Sequence, residues 1–181
     1  MNNSYYLEVI KYLNVQWKPW LLLTGAFDDN DMKITKAQIG KAGELLVQQK
    51  LLLYGIESAP LTTDSGIDLV AYSSRKQDAI TIQVKTNLKA KPGGGKGKLS
   101  IDWWAPQGSP ADLFAFVDLE RNRVWLIKTA ELASLAQQKP EGRYHFFMAV
   151  DPTAKTRRDG KLLHDYEFEK YLLENRIHKL F

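Results

Sequence analysis

The sequence has no cysteine, so disulfides, thiolate zinc sites and cysteine nucleophiles are excluded. It also has no long apolar run. Trp20–Leu23 is four apolar residues, and nothing approaches the ~20 needed to span a bilayer. Glu8, Lys11 and Lys18 interrupt the beginning of the chain, which therefore lacks the apolar core of a signal peptide. No repeat of 20–50 residues is visible, which argues against a solenoid or propeller. The three histidines, His145, His164 and His178, are scattered without the paired spacing of a zinc site. These absences together suggest a cytoplasmic protein.

The 181 residues are enough for one domain with a full hydrophobic core. Hydrophobic residues make up 44% and charged residues 25%, the balance of a globular chain rather than a disordered one. The net charge of +4 is less informative than its distribution. Between Arg75 and Lys98 lie Arg75, Lys76, Lys85, Lys89, Lys91, Lys96 and Lys98, opposed only by Asp78. Such a local excess favours a polyanion such as a nucleic-acid backbone, although a solvated lysine-rich loop has the same composition.

Residues 1–33 read as an appendage. It has a helical segment carrying Tyr5, Leu7, Ile10 and Leu13, then an irregular stretch through Pro19 closed by Asp28, Asp29 and Asp31. Residues 34–181 read as a single domain. Thr35 is placed to cap a helix reaching about Tyr54, where Gly55 signals a stop. Ile39, Ala42, Leu45, Leu46, Leu52 and Leu53 give that helix an expected apolar face. An extended piece near Ile56–Leu61 and a turn through Thr63–Gly66 lead to strands over 67–72 and 79–86. In the second strand Ile80, Ile82 and Val84 alternate with Thr81, Gln83 and Lys85. Residues 92–98 are expected to form a flexible loop. Further strands are predicted at 99–104, 113–119, 123–127 and 144–150, with helices at 129–138, opened by a Thr129 cap, and at 166–179. One central mixed sheet of four to five strands flanked by helices, an α/β (α+β) architecture, is the simplest packing of this order.

Glu44, Asp68, Gln83 and Lys85 occur in order on the helix, at the head of one strand and within the next. Hydrolysis of a phosphodiester needs an activated water, a Lewis acid at the phosphate and relief of charge on the leaving oxygen. Magnesium prefers hard oxygen ligands, which Glu44, Asp68 and the Gln83 carbonyl can supply. Lys85 can hold the attacking water or pair with phosphate as a point charge. Gln83 and Lys85, two apart on a strand, share a face at roughly 6–7 Å. A turn near Ser74–Gln77 makes the Asp68 strand a hairpin neighbour of the Gln83 strand. Taken singly, each residue has an ordinary reading: a surface glutamate, a turn aspartate, the polar face of a half-buried strand. Order and spacing together are what set them apart.

The segments Gly43-Glu44-Leu45-Leu46-Val47, Gly66-Ile67-Asp68-Leu69-Val70 and Ile82-Gln83-Val84-Lys85-Thr86 resemble the PD-(D/E)XK nuclease superfamily in a Q-x-K variant. They are most similar to its small homing-endonuclease and Holliday-junction-resolvase-like families. Asp112–Val117 and Val124–Ile127 look like the closing strands of those families, so the resemblance covers roughly Ile39 to Leu135. It implies a restriction-endonuclease-like fold, DNA as substrate, and Mg2+ (or Mn2+) held by Glu44, Asp68 and Gln83 with Lys85 completing the catalytic set. Two departures stand out: Gln83 where the motif has an acid, and Ile67 where it has proline. A homodimer would suit the cutting of two strands. A nucleic-acid-binding module with weak or lost catalysis, or a non-enzymatic interaction protein, are the competing readings.

Lys89, Lys91, Lys96 and Lys98 are the expected nucleic-acid contacts, on a glycine-rich loop that fails the phosphate-loop pattern because Leu99 follows Lys98. Lys155, Arg157, Arg158 and Lys161 form a second basic cluster about Asp159-Gly160. Trp103 and Trp104 are adjacent on a strand, so one ring belongs to the core while the other is left to pack or to stack on a base. Asp64 reads as a turn or capping residue.

Overall fold

The alternation of Ile80, Ile82 and Val84 with Thr81, Gln83 and Lys85 calls for a two-sided sheet, and a computed structural model shows what covers each side. It describes residues 34–63, 65–73, 76–155 and 159–181. The expectations placed on residues 1–33, Asp64, Arg75, Arg157 and Arg158 lie outside the described residues, as does the side chain of Lys76.

Helix α1 spans Lys36–Leu53. Thr35 caps it as expected, accepting from the Gln38 amide while the Gln38 side chain accepts from the Thr35 amide. Gly55 ends the helix region at φ +73°, a conformation in which only glycine is unstrained. Strands β1 (Glu57–Pro60), β2 (Leu69–Ser73) and β3 (Lys76–Asn87) follow. After them come β4 (Lys91–Pro92), β5 (Leu99–Pro106), β6 (Leu113–Asp118) and β7 (Arg123–Lys128). A 3-10 turn, Thr129–Glu131, then leads into the short helix α2 (Leu132–Leu135), and β8 (Arg143–Ala149) follows. The chain closes with a 3-10 helix, Asp165–Tyr171, and helix α3 (Leu173–Leu180). Thr35–Phe181 forms one compact unit.

The fold is mixed α+β, with one departure from the single sheet expected. The strands divide into a five-stranded mixed sheet, β1-β2-β3-β6-β7, and a separate three-stranded sheet, β4-β5-β8. In the large sheet only β3 and β6 run parallel. The chain between them is long enough to return in the same direction and uses the excursion to build β4 and β5.

Each face of the large sheet has its own core. Leu69, Ile82, Val84, Ala115 and Leu126 pack beneath Val47 and Leu51 of α1 and Leu173 and Ile177 of α3. Phe114, Phe116, Trp125 and Ile127 face the small sheet, meeting Ile101, Trp103, Phe146 and Met148. Burying a side chain of this size stabilises by roughly 1.5–3 kcal/mol, so the aromatic inter-sheet layer is a large part of what joins the sheets.

Four further expectations are corrected. The buried stripe of α1 is Gly43, Val47 and Leu51, whereas Leu45 and Leu52 are 56% and 64% exposed and Leu53 is exposed too. The expected helix at 129–138 is only the 3-10 turn plus α2. Thr129 does not cap it: its hydroxyl donates to the Ala111 carbonyl, and the Glu131 carboxylate accepts from the Lys128 amide instead. The expected helix at 166–179 is broken at Leu172, whose extended backbone bridges to Trp125 on the edge of β7. Residues 92–98 are an ordered hairpin end, with Gly93 and Lys98 bonded at 3.0 Å and the Gly97 amide on the Gly93 carbonyl at 2.7 Å.

Candidate functional site

The hairpin register makes Leu69 the partner of Ile82, with the pairing closing at that end. One residue before, the Asp68 amide still donates to the Ile82 carbonyl at 2.9 Å, which keeps Asp68 beside β3 at the level of Ile82. The chain then leaves the sheet through Gly66. The Val84 amide, which would lose its ladder partner here, donates instead to the Asp68 Oδ2 at 2.6 Å. A carboxylate therefore stands where β2 forks away from β3. It answers a backbone requirement as well as any chemical one.

Gln83 lies beside this fork on the face turned toward the small sheet, in register with Phe114. It is only 6% exposed. Its Oε1 accepts from the Ser109 hydroxyl at 3.1 Å, and Ser109 Oγ in turn accepts from the Ala111 amide at 3.3 Å. Gly66, at φ +79°, passes so close that a Cβ there would meet Pro110 at 3.3 Å and the Gln83 Nε2 at 3.9 Å. Lys85 follows on the same face, in register with Phe116. It is half-buried, with no hydrogen-bond or ion-pair partner among the described residues. An unpaired ammonium beside an aromatic layer is poised for an anion.

Glu44 reaches β3 from the other side. A Cβ on Gly43 would lie 1.9 Å from the Thr86 Oγ1, so α1 is pressed against β3 at this level. Thr86 shares the Ile82 and Val84 face by alternation, opposite the face of Gln83 and Lys85. The Glu44 side chain is 22% exposed, and its carboxylate is bonded to the Lys41 ammonium at 2.7 Å. The structure thus brings Asp68, Gln83 and Lys85 together on one strand fork. Glu44 is set at the level of Thr86, engaged with a lysine of its own helix.

Among the described residues, no group of three or more His, Asp or Glu side chains is gathered to hold a metal. The oxygen donors at the fork are one carboxylate and one amide carbonyl, the latter with one hydrogen bond and a second lone pair. That set fits magnesium, which retains water and substrate oxygens as most of its shell.

Lys89, Lys91, Lys96 and Lys98 are exposed on the β3–β4 connection and the β4–β5 hairpin. Lys98 is tied to Asp151 at 3.4 Å. In the second basic cluster the Lys161 ammonium donates to the Ala136 carbonyl, a structural tether. His145 is held by Asp102 and Gln138, His164 is buried, and His178 packs edge-on against Tyr54. Trp103 is buried and Trp104 is 42% exposed. A cavity of about 500 Å³ opens at the other end of β3, between Ile80, Asp112, Lys128, Thr129 and Lys179. There the Thr81 hydroxyl and amide hold the Asp112 carboxyl below its ordinary range.

Ser109 and Pro110, which with Gly66 enclose Gln83, have little signature in the sequence. They lie in connections without periodicity, and the Gly108-Ser109-Pro110 turn composition was the available signal.

No protein-family model matches this chain, and no curated protein matches it. Among solved structures, that of a bacterial homing endonuclease, I-Ssp6803I, is similar, with a TM-score of 0.56 and 12% identity. The match covers 82% of this chain and 92% of that chain. At such low identity the likeness establishes a nuclease-like fold. No described helix is long and apolar enough to cross a membrane.

Proposed function

We propose that this protein is a metal-dependent endonuclease that hydrolyses phosphodiester bonds in DNA, a Q-x-K member of the PD-(D/E)XK superfamily. The observation that carries the reading is the fork itself. The Asp68 carboxylate is bonded to the Val84 backbone, flanked along the strand by a buried Gln83 and an unpaired Lys85 that share one face. The likeness to the homing endonuclease fold supports it.

In this reading Asp68, the Gln83 carbonyl and Glu44 would hold Mg2+ (or Mn2+), although Glu44 is bonded to Lys41 in the structure. A bound divalent ion lowers the pKa of its water and offsets charge developing on the phosphate. Ser109 keeps the Gln83 amide oriented. Lys85 pairs with the scissile phosphate or holds the attacking water. Lys89, Lys91 and Lys96 attract the DNA backbone from the adjoining connection and hairpin.

Purified protein is incubated with supercoiled plasmid and Mg2+ or Mn2+. Nicking that is lost in Lys85→Ala supports the enzyme, and its absence from the wild type under either metal sinks it. A second reading, a DNA-binding module with weak or lost catalysis, is favoured by two observations: Gln83 is neutral and Glu44 is already paired with Lys41. Retention of DNA in a gel shift without cleavage would single it out.

A further inference from the structure

The small sheet turns Ile101, Trp103, Phe146 and Met148 inward, so the alternating residues face away from the large sheet. On that outward face Trp104 stacks on His145, its cross-strand partner, with ring centroids 4.0 Å apart and planes within 4°. His145 is fixed from both nitrogens, by Asp102 at 3.0 Å and Gln138 at 3.1 Å. The Arg143 guanidinium lies 5.5 Å from the Trp104 ring centroid. Lys91, paired with Ser100, enters the same face from β4. Neither cation has a carboxylate partner among the described residues, while the carboxylate of Asp102 is taken by His145.

We infer that this face binds single-stranded nucleic acid, an unpaired base stacking at Trp104 while Arg143 and Lys91 take the flanking phosphates. The inference rests on the nuclease reading above and adds a substrate form to it. A large ring left in water yet held rigid by a fixed neighbour loses little freedom on binding. The surplus positive charge selects a polyanion over a neutral partner. Bases in a duplex are already stacked on both sides, so the ring discriminates in favour of an unpaired one. The chain links the two regions, β3 leading through residues 88–90 into β4.

Binding of an end-labelled oligothymidylate and of a short duplex is followed by fluorescence anisotropy, in EDTA so that no cleavage intervenes. Trp104→Ala weakens the single strand roughly tenfold and leaves the duplex nearly unchanged. Trp104→Phe, which keeps a π-face, retains most of the affinity. Arg143→Ala weakens binding and lowers its salt dependence. The inference is overturned if the wild type does not hold the oligothymidylate, or if Trp104→Ala binds it as well as the wild type does. It is overturned equally if single strand and duplex lose affinity in parallel. Plasmid nicking stays a separate readout: a protein that nicks but fails these measurements keeps the first reading and loses this one.

Discussion

The Asp68 carboxylate and the Val84 amide meet at 2.6 Å, a side chain standing in for the strand that has just departed. The same oxygen set is assigned to a metal, so structural and chemical roles coincide in one residue and need separating. Asp68→Ala leaves a part-buried amide without its acceptor, at a cost of about 1–3 kcal/mol. Asp68→Asn keeps an acceptor oxygen and loses less. Urea denaturation distinguishes the two, while plasmid nicking should be abolished in both. Retained nicking in Asp68→Asn would detach the residue from the chemistry.

Gln83 offers a sharper test of the metal. Glutamate in its place puts a charge into a site that is only 6% exposed, which is destabilising without a counter-ion. Gln83→Glu should therefore melt below the wild type in EDTA and show the larger upward shift of Tm when Mg2+ is added. Equal shifts in the two proteins would mean that no cation binds here.

Helix α1 depends on one missing methyl group. Gly43→Ala drives a Cβ into Thr86, displaces the helix from β3, and should cost about 1–3 kcal/mol as overpacking. Thr86 also buries a hydroxyl without a hydrogen-bond partner. Thr86→Ala should relieve part of the clash, so the double variant should be more stable than the sum of the single changes allows. Strict additivity in urea denaturation would contradict the close approach.

Asp112 contributes a pH dependence of definite sign. Its folded pKa is held below the ordinary aspartate value because the Thr81 hydroxyl, and then the Thr81 amide, favour the ionised form. The unfolded carboxyl binds protons first, so this stabilisation is present above the unfolded pKa and is lost as pH falls through the folded one. Asp112→Ala should be less stable than the wild type at neutral pH, with the gap narrowing as the pH falls below the ordinary aspartate range. A gap independent of pH would point to packing instead.

How far the sequence foretold all this varies by element. The pairing of the Asp68 and Gln83 strands was legible because a short turn and strict alternation leave a hairpin few registers. The Thr35 cap and one buried, one exposed ring in Trp103-Trp104 were legible for similarly local reasons. The inward stripe of α1 was not: leucines at 45, 52 and 53 drew the eye, while the stripe is Gly43, Val47 and Leu51, spaced by four, with Leu46 packed beside it. Glycine carries no hydropathy signal when its role is close approach. Nor was the division into two sheets legible, since alternation assigns a residue to a face without naming the strand beside it. β5 pairs with β8 across dozens of intervening residues, and Ser109 reaches Gln83 from a loop.

That long-range pairing bears on how the protein is made. As the chain leaves the ribosome, β1, β2, β3, β6 and β7 are all available before β8 emerges. The fork can assemble early, while Trp103 and its neighbours wait beside an unfinished ribbon. Contacts so distant in sequence close slowly, so the zipping of Arg143–Ala149 onto Ser100–Pro106 should be a late step of maturation, and a nascent chain halted ahead of it would expose sticky aromatic surface.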